Sequence, residues 1–541
     1  EDIAQAEQYA LANHVSLAEH LLTQDLITKN LLGQAIAESL GVPYADLNSN
    51  RPPREQVLQI PEQTAKRLRA VLFTEDERRA TVASDNPIAE GLHAELQGLL
   101  SGKHVTVAYS LPDDIDASFV YYQKPLETRF SKIITAQTRV APEILEEIFE
   151  DASVFHASDI HFEPQSQDAL VRFRVDGVLH EAGRIPKEHY ENILNRIKVQ
   201  SRLRIDEHLS AQDGSIRYQK DGKGFDLRTS IVPTVEGEKV VLRVLGAYVQ
   251  GLTLGDIGLS AENQQVFEEA ARKPFGMILV VGPTGSGKTT TLYSLLRILN
   301  RPEVNITTIE DPVEYKVKGM NQIQVNPQTN LTFSKGLRSI VRQDPDIILV
   351  GEIRDEETAE IALNAALTGH LLFSTFHAND AATAIPRLLD MHIEPFLLAS
   401  TLEIIVAQRL VRRICEACRY SVSVSHEEVA KRFAHAAEYF PGKNATLYAG
   451  KGCTNCSETG YRGRTAIFEF IRVTGKLEEL ILQNPSTQQV AELAREQGSQ
   501  SLFEDGIEKV KSGVTTLEEL LRVTLPPDDY HRHGPHHKST A

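Results

Sequence analysis

Apolar residues recur at helical spacing near the start of the chain, at Leu17, Leu21 and Leu22 within 16–26 and at Leu31, Leu32, Ile36 and Leu40 within 30–40. Gly41-Val42-Pro43 ends the second of these helices. The pattern predicts a small helical bundle followed by an α/β segment over residues 1–120, and Pro112-Asp113-Asp114 to about Arg129 reads as a linker. Residues 131–250 read as a mixed α+β domain. It opens with a helix over Pro142–Ala152, and a second helix lies around Glu188–Arg202. Ala169–Val175 begins a hairpin that turns at Asp176-Gly177; Phe225–Pro233 and Lys239–Leu245 form another, turning near Glu236-Gly237. From 257 to 524 short apolar runs alternate with helices, the pattern of a parallel sheet with crossovers, ending in a helix over Thr516–Arg522. A cysteine-bearing insertion spans about 411–466. The tail, 525–541, holds Pro, Asp and His and is expected to be disordered.

Composition narrows the class. The 541 residues are 24% charged and 41% hydrophobic, ordinary for a folded chain of about three or four domains. A net charge of −17 argues against a nucleic-acid partner, whose phosphates call for a basic stripe. No apolar run approaches the ~18–20 residues that span a bilayer. Glu1-Asp2-Ile3 lacks the basic and apolar regions of a signal peptide. The expectation is a cytoplasmic chain that meets a membrane only through partners.

Gly276–Val281 is an apolar strand. It leads into Gly282-Pro283-Thr284-Gly285-Ser286-Gly287-Lys288-Thr289-Thr290 and a helix to about Asn300. The pattern G-x-x-x-x-G-K-[ST] stands in its proper context, strand before and helix after. Glycines let backbone N–H groups curl around phosphate oxygens, and the helix N-terminus favours the anion. Lys288 is expected to reach the β- and γ-phosphates and the Thr289 hydroxyl to hold Mg²⁺. The nine residues Gly282 to Thr290 are the candidate nucleotide-binding set.

Ligands of open parallel sheets sit at the carboxyl ends of strands. Val304–Ile309 ends at Glu310-Asp311-Pro312, Ile347–Val350 at Gly351-Glu352, and Leu371–Phe376 at His377. Glu310 is a candidate to orient the attacking water, Glu352 to hold a Mg²⁺-bound water, and His377 to hydrogen-bond the γ-phosphate. The alternative for each is a capping or solvated role. A common Walker B strand ends in Asp. Gly351 stands there instead, followed by Glu352, while Asp344 and Asp346 lie at the wrong end.

Transferred phosphate needs further positive charge. Arg338 and Arg342 are four apart in a helix that Ser334 is expected to cap, so they share a face. Arg228 and Arg243 fall almost opposite each other on the second hairpin. Facing like charges are unfavourable unless an anion lies between them, or each pairs with an acid such as Glu236 or Glu238.

Cys415-x2-Cys418 and Cys453-x2-Cys456 are separated by residues 419–452. Two such knuckles fit a closed, structural tetrathiolate Zn²⁺ site, with free thiols or disulfides as the alternatives.

These residues together resemble a family. Gly282–Thr289, Ile306-Thr307-Thr308-Ile309-Glu310-Asp311-Pro312-Val313-Glu314, Gly351-Glu352-Ile353-Arg354-Asp355, and Thr368-Gly369-His370 through Ser374-Thr375-Phe376-His377 resemble the Walker A, Asp, Walker B and His boxes of the type II secretion and type IV pilus assembly ATPases. Asp159–Pro164, Val171–Gly177 and Gln408–Arg413 are similar to further segments of that family; the likeness covers about 130–524. It implies an α/β chain: a RecA-like P-loop core (257–524) with the zinc-binding insertion, an α+β, PAS-like second domain (131–250) contributing arginines, and a helical N-terminal domain (1–120). It implies a homohexamer that uses ATP, Mg²⁺ and Zn²⁺, each nucleotide lying between core and second domain. Glu310, Glu352, His370 and His377 carry over as box residues, and Arg228, Arg243, Arg338 and Arg342 as phosphate-contacting arginines. Gly351-Glu352 is the usual Walker B pairing there.

The implied work is filament assembly at the cytoplasmic face of the inner membrane, through a membrane platform protein and other pilus or secretion components docking on the N-terminal domain. The tetracysteine insertion and long N-terminal region favour assembly over retraction. Ser215 and His392 depart from residues common in the family. The helical start resembles domains that bind cyclic di-GMP in some members, but the leading Arg and several Gln of that signature are missing and binding is not predicted. A DNA-translocating motor and a regulatory subunit with little turnover are the competing classes, and metal binding by the tail at His531–His537 is not expected. The sequence does not separate a pilus from a secretion system.

Overall fold

The computed structural model describes residues 27–76, 78–122, 126, 128–136, 144–220, 223–245 and 252–526. The helix expected at 16–26, the first two residues of the one expected at Pro142–Ala152, and the tail from 527 lie outside them. The chain divides into two compact units, Glu1–Pro125 and Leu126–Ala541.

In the first unit α1 (Lys29–Leu40) starts at Thr28, whose hydroxyl accepts the Leu31 N–H, and ends at Gly41 in the left-handed conformation, φ 69°. A three-stranded sheet follows: β1 (Ala70–Glu75), β2 (Arg79–Ser84) antiparallel to it, and β3 (His104–Tyr109) parallel to β2. Val71, Val82, Leu96 and Val105 fill its core. The stretch from Pro112 is not a linker. It forms a helix over Pro112–Ser118 and a tight turn to Tyr122. Ile115 and Tyr122 are buried, and the Tyr122 hydroxyl meets the Val57 and Ile60 carbonyls at 2.8 Å each. Two apolar anchors outweigh the Pro-Asp-Asp signal that suggested an open segment.

The second unit holds two larger sheets. The first includes α2 (Ile144–Val154), β4 (Asp159–Pro164), β5 (Asp168–Val175), β6 (Val178–Pro186), α3 (Lys187–Gln200), β7 (Gln212–Lys220), β8 (Lys223–Thr234) and β9 (Gly237–Leu245). Its strands run antiparallel in the order β6-β5-β4-β9-β8-β7. Ile160, Phe162, Val171, Phe173, Leu227 and Leu242 alternate inward against Ile148, Phe149, Ile193 and Ile197 of the two helices. Asp176 (φ 49°) and Gly177 (φ 85°) supply the two positive φ values of a tight β5–β6 hairpin.

The other sheet comprises β10 (Gly276–Val281), β11 (Ile306–Glu310), β12 (Met320–Gln324), β13 (Ile347–Val350), β14 (Leu371–Phe376), β15 (Leu402–Ile414) and β18 (Tyr461–Arg472), in the order β12-β11-β13-β14-β10-β15-β18. All pairs are parallel except β15–β18. The fully buried β10 alternates between two cores. Ile278 and Val280 face α4 (Lys288–Leu299), while Met277, Leu279 and Val281 face the layer of α5 (Phe333–Ile340), α6 (Glu356–Leu367) and α7 (Ala381–Asp390). The cysteine insertion, with the ribbon β16 (Arg419–Ser425) and β17 (Asn444–Gly450), connects the ends of β15 and β18. The Asp176 carboxylate accepts the Gly463 N–H at 2.7 Å, joining the hairpin of one sheet to an edge strand of the other. No helix among the described residues is long and apolar enough to cross a membrane.

Candidate nucleotide site

The loop after β10 turns through Gly285 (φ 77°) and Gly287 (φ 85°), and Gly287 caps α4. A Cβ at Gly282 would meet the Gln408 carbonyl at 2.5 Å and Ser286 Oγ at 2.7 Å, so glycine alone fits this approach. Gln408 on β15 braces the loop from beneath by accepting the Thr291 hydroxyl at 2.7 Å. Pro283, Thr284 and Gly285 are exposed at the rim, Thr289 and Thr290 are half-buried in the first turn of α4, and the buried Ser286 hydroxyl has no hydrogen-bond partner among the described residues.

Lys288 is buried and folds back onto its own loop, its ammonium donating to the carbonyls of Gly282 (2.9 Å) and Pro283 (3.0 Å). Burial pushes its pKa down to about 8, while the Glu352 charge acts the other way. A polyphosphate is the anion that such a half-satisfied cation and a free helix N-terminus recognise.

The order of the strands brings the carboxyl ends of β11, β13, β14 and β10 side by side. Glu352, just beyond β13, lies 3.4 Å from His377 Nε2 beyond β14. Arg354 donates to Glu352 and stands 3.6 Å from Asp311. The Thr375 hydroxyl donates to the Gly351 carbonyl at 2.7 Å, and Ser374 to that of Val350 at 2.8 Å, which fixes the end of β13. Glu310 is 2% exposed. Its carboxylate accepts from Thr308 at 2.5 Å and from Tyr293, and burial holds its pKa above the ordinary glutamate range.

Arg228 and Arg243 are paired across the β8–β9 ladder. Neither uses the acids offered by the sequence. Glu236 lies 3.6 Å from Lys187, and Glu238 meets the fully buried Lys198 at 2.7 Å. Arg243 meets Asp159 at 3.2 Å. Arg228 is half-buried, and the charges that oppose the desolvation of its guanidinium are Glu314 and Asp311. The arginine hairpin is thus turned toward the segment that follows Glu310.

Three features lie elsewhere than the sequence suggested. His370 precedes β14, at the amino end of the sheet and opposite the phosphate loop; its Nδ1 lies 2.9 Å from the Ala365 carbonyl. Thr332, not Ser334, caps α5, which ends at Ile340 and leaves Arg342 outside the helix. Arg338 and Arg342 also belong to the layer opposite α4. Arg338 pairs with Glu357 at 2.8 Å and Arg342 donates to the Arg338 carbonyl at 2.6 Å, so neither joins Lys288. The roles of Tyr293, Gln408 and Glu314 had no signal in spacing, because each depends on a neighbour distant in sequence.

The four cysteine sulfurs lie within 4.8 Å of one another, with Cys415–Cys453 at 3.8 Å, Cys418–Cys456 at 3.9 Å and Cys453–Cys456 at 3.7 Å. Thiolates around a tetrahedral Zn²⁺ with Zn–S near 2.3 Å sit about 3.8 Å apart, so the donor set and spacing fit that ion. The Gly460 N–H aimed at Cys456 Sγ (3.3 Å) suits a thiolate.

The profile of the family described as Type II/IV secretion system protein matches residues 135–522. The chain belongs to that family. An MshEN domain profile matches residues 40–129. The type IV pilus assembly ATPase PilB of Thermus thermophilus is 38% identical over 94% of this chain, which spans only 59% of that relative's length. PilB of Pseudomonas aeruginosa is 37% identical over 96% of this chain and 95% of its own. The type II secretion system protein E of Pseudomonas aeruginosa is 47% identical over 68% of this chain and 72% of its own. The ATPase DotB of Legionella pneumophila shares the fold, with TM-score 0.53 at 21% identity over 72% of this chain and 96% of its own. As a secretion-family member with an intact phosphate loop, the chain is a P-loop ATPase that uses ATP with Mg²⁺.

Proposed function

We propose that this ATPase is the motor of type IV pilus assembly, turning ATP hydrolysis into movement of a filament-building machine. The reading is carried by the convergence of Lys288, Glu310, Glu352 and His377 at adjacent strand ends, with the Arg228 hairpin of a second sheet turned toward the same place. The loop from Gly282 to Thr290 binds the phosphates, with Lys288 released from its loop carbonyls onto them. The Thr289 hydroxyl and, through water, Glu352 would hold Mg²⁺, which neutralises charge on the β- and γ-phosphates. Glu310 orients water and accepts its proton. The water oxygen bonds to the γ-phosphorus, the bond to the β–γ bridging oxygen breaks, and ADP leaves. His377 hydrogen-bonds the γ-phosphate. Arg228 and Arg243 exchange Asp311, Glu314 and Asp159 for phosphate oxygens, so the second sheet follows the state of the nucleotide.

The working form we propose is a homohexamer at the cytoplasmic face of the inner membrane, docked on a platform protein through the N-terminal unit. Arg338 and Arg342 lie away from this chain's own loop, so any phosphate they touch belongs to another copy. A net charge of −17 speaks against DNA as the load.

A type II secretion motor is the second reading, supported by the 47% identity of the protein E relative over 68% of this chain. Pilus assembly is preferred because the PilB relatives of Thermus thermophilus and Pseudomonas aeruginosa align over 94% and 96% of this chain, N-terminal unit included, where the protein E relative aligns over 68%. Deletion of the gene in its host decides between them. Loss of surface pili with secretion intact is expected; loss of secreted enzymes with pili intact would reverse the assignment.

A further inference from the structure

Glu310 ends β11 inside a ring of donors. Thr308, on the same face of the strand, donates to Oε1 at 2.5 Å. From α4, the helix that begins at Lys288, the Tyr293 hydroxyl donates to Oε2. Gln322 on β12 reaches the Tyr293 hydroxyl at 3.1 Å and Glu310 Oε1 at 3.5 Å. Gln322 is itself fixed, donating to the Tyr315 carbonyl at 3.1 Å and accepting the Val317 N–H at 2.7 Å. Tyr293 is fully buried, with its ring against that of Tyr315 edge to face at 4.8 Å between centroids.

We propose that Tyr293 is the positioning residue of the hydrolytic carboxylate: its hydroxyl holds Glu310 toward the phosphate site and stabilises it as the base. This rests on the reading of Glu310 as the group that accepts the proton of the attacking water. The phosphate-binding helix thereby carries both ends of the reaction geometry. Lys288 and Thr289 at its first turn meet the phosphates, and Tyr293 in the same helix fixes the carboxylate.

The charges around Glu310 make this bond matter. Burial raises its pKa and the nearby Glu314 adds to the rise, while the donors Thr308, Tyr293 and Gln322 oppose it. Tyr293 stays protonated, since burial first and then Glu310 and Glu314 push its phenol upward. Tyr315 and Glu314, the other titratable neighbours, are raised chiefly by burial. Removing the Tyr293 donor leaves a buried carboxylate with less to hold it ionised.

The test is steady-state ATP hydrolysis by the full chain as a function of pH. Substrate ionisation is common to every curve, so differences belong to the protein. Tyr293→Phe, which keeps the ring, is expected to leave KM within about twofold while kcat falls and its acid limb moves up by about one pH unit. Difluorotyrosine at position 293, a more acidic phenol of nearly the same shape, is expected to move the limb down. If Tyr293→Phe does not fold, the fluorinated variant alone decides. Folded variants with the wild-type kcat and acid limb would overturn the proposal. Glu310→Gln separates the two claims: wild-type turnover there removes the base itself, whereas a dead Glu310→Gln beside unshifted Tyr293 variants removes only the role of Tyr293.

Discussion

Arg228 on β8 and Arg243 on β9 are registered directly opposite each other, at the place where the second-sheet hairpin faces the segment after Glu310. Facing cations weaken a ladder by a few tenths of a kcal/mol or more. Here Asp159 offsets Arg243 while Glu314 and Asp311 offset Arg228; in the mechanism we propose, phosphate oxygens take the place of these acids. Arg228→Gln is predicted to cut kcat by about a hundredfold, the scale of losing one donor to a transferring phosphoryl group, with no loss of thermal stability. Arg243→Gln is predicted to cost less, because Arg243 already has Asp159. Phosphate-release assays at saturating ATP and thermal melts check both parts.

The buried Lys198–Glu238 pair, 2.7 Å apart beside the turn of the same hairpin, is a separate stability test. Lys198→Met leaves a buried carboxylate with the exposed His208 beside it. The expected loss is about 3–5 kcal/mol in chemical denaturation, as for other broken buried pairs.

The four cysteines predict bound zinc, about one ion per chain. Cys418→Ser should lose the metal and lower the melting temperature, and a strong chelator should do the same to the wild-type chain. Metal analysis beside a thermal melt reads this. Wild-type stability after complete zinc removal would leave the ion without a structural role.

Much of this site is readable from residue order, because its core is local. A strand, a glycine loop and a helix N-terminus are contiguous from Gly276 to Leu299. Glu310, Glu352 and His377 are each announced by the end of an apolar run. What the sequence hides is the company these residues keep. Arg338 and Arg342 have helical spacing, yet α5 stops at Ile340 and lies on the other layer. His370 belongs to the same short motif as His377, but the length of β14 places it at the far end of the sheet. β7 escapes notice because Gln212-Asp213-Gly214-Ser215 is polar, and Ile216 and Tyr218 are its apolar side chains packed at the core. The edge strand β18 is set by its pairing with β15, a contact remote in sequence.

Glu469 on β18 predicts a pH dependence. It lines a small cavity with Asp380 and Arg409, and burial, reinforced by Asp380, raises its pKa to about 8. A raised acid costs the folded state its stability as pH climbs from the unfolded value toward the folded one, since the native chain holds a proton that the unfolded chain has released. Glu469→Gln should therefore be more stable than the wild type by roughly 1–3 kcal/mol above pH 8, with the gap closing in mild acid. Denaturation curves at both ends of that window measure it.

The central claim is that phosphates bound at Lys288 are cleaved by the groups gathered around it. Steady-state phosphate release by the purified full chain, with Mg²⁺ and ATP, tests this most directly when wild type and Lys288→Ala are compared side by side. The account predicts slow, Mg²⁺-dependent turnover in the wild type and background release in the folded variant; wild-type turnover by Lys288→Ala would contradict it.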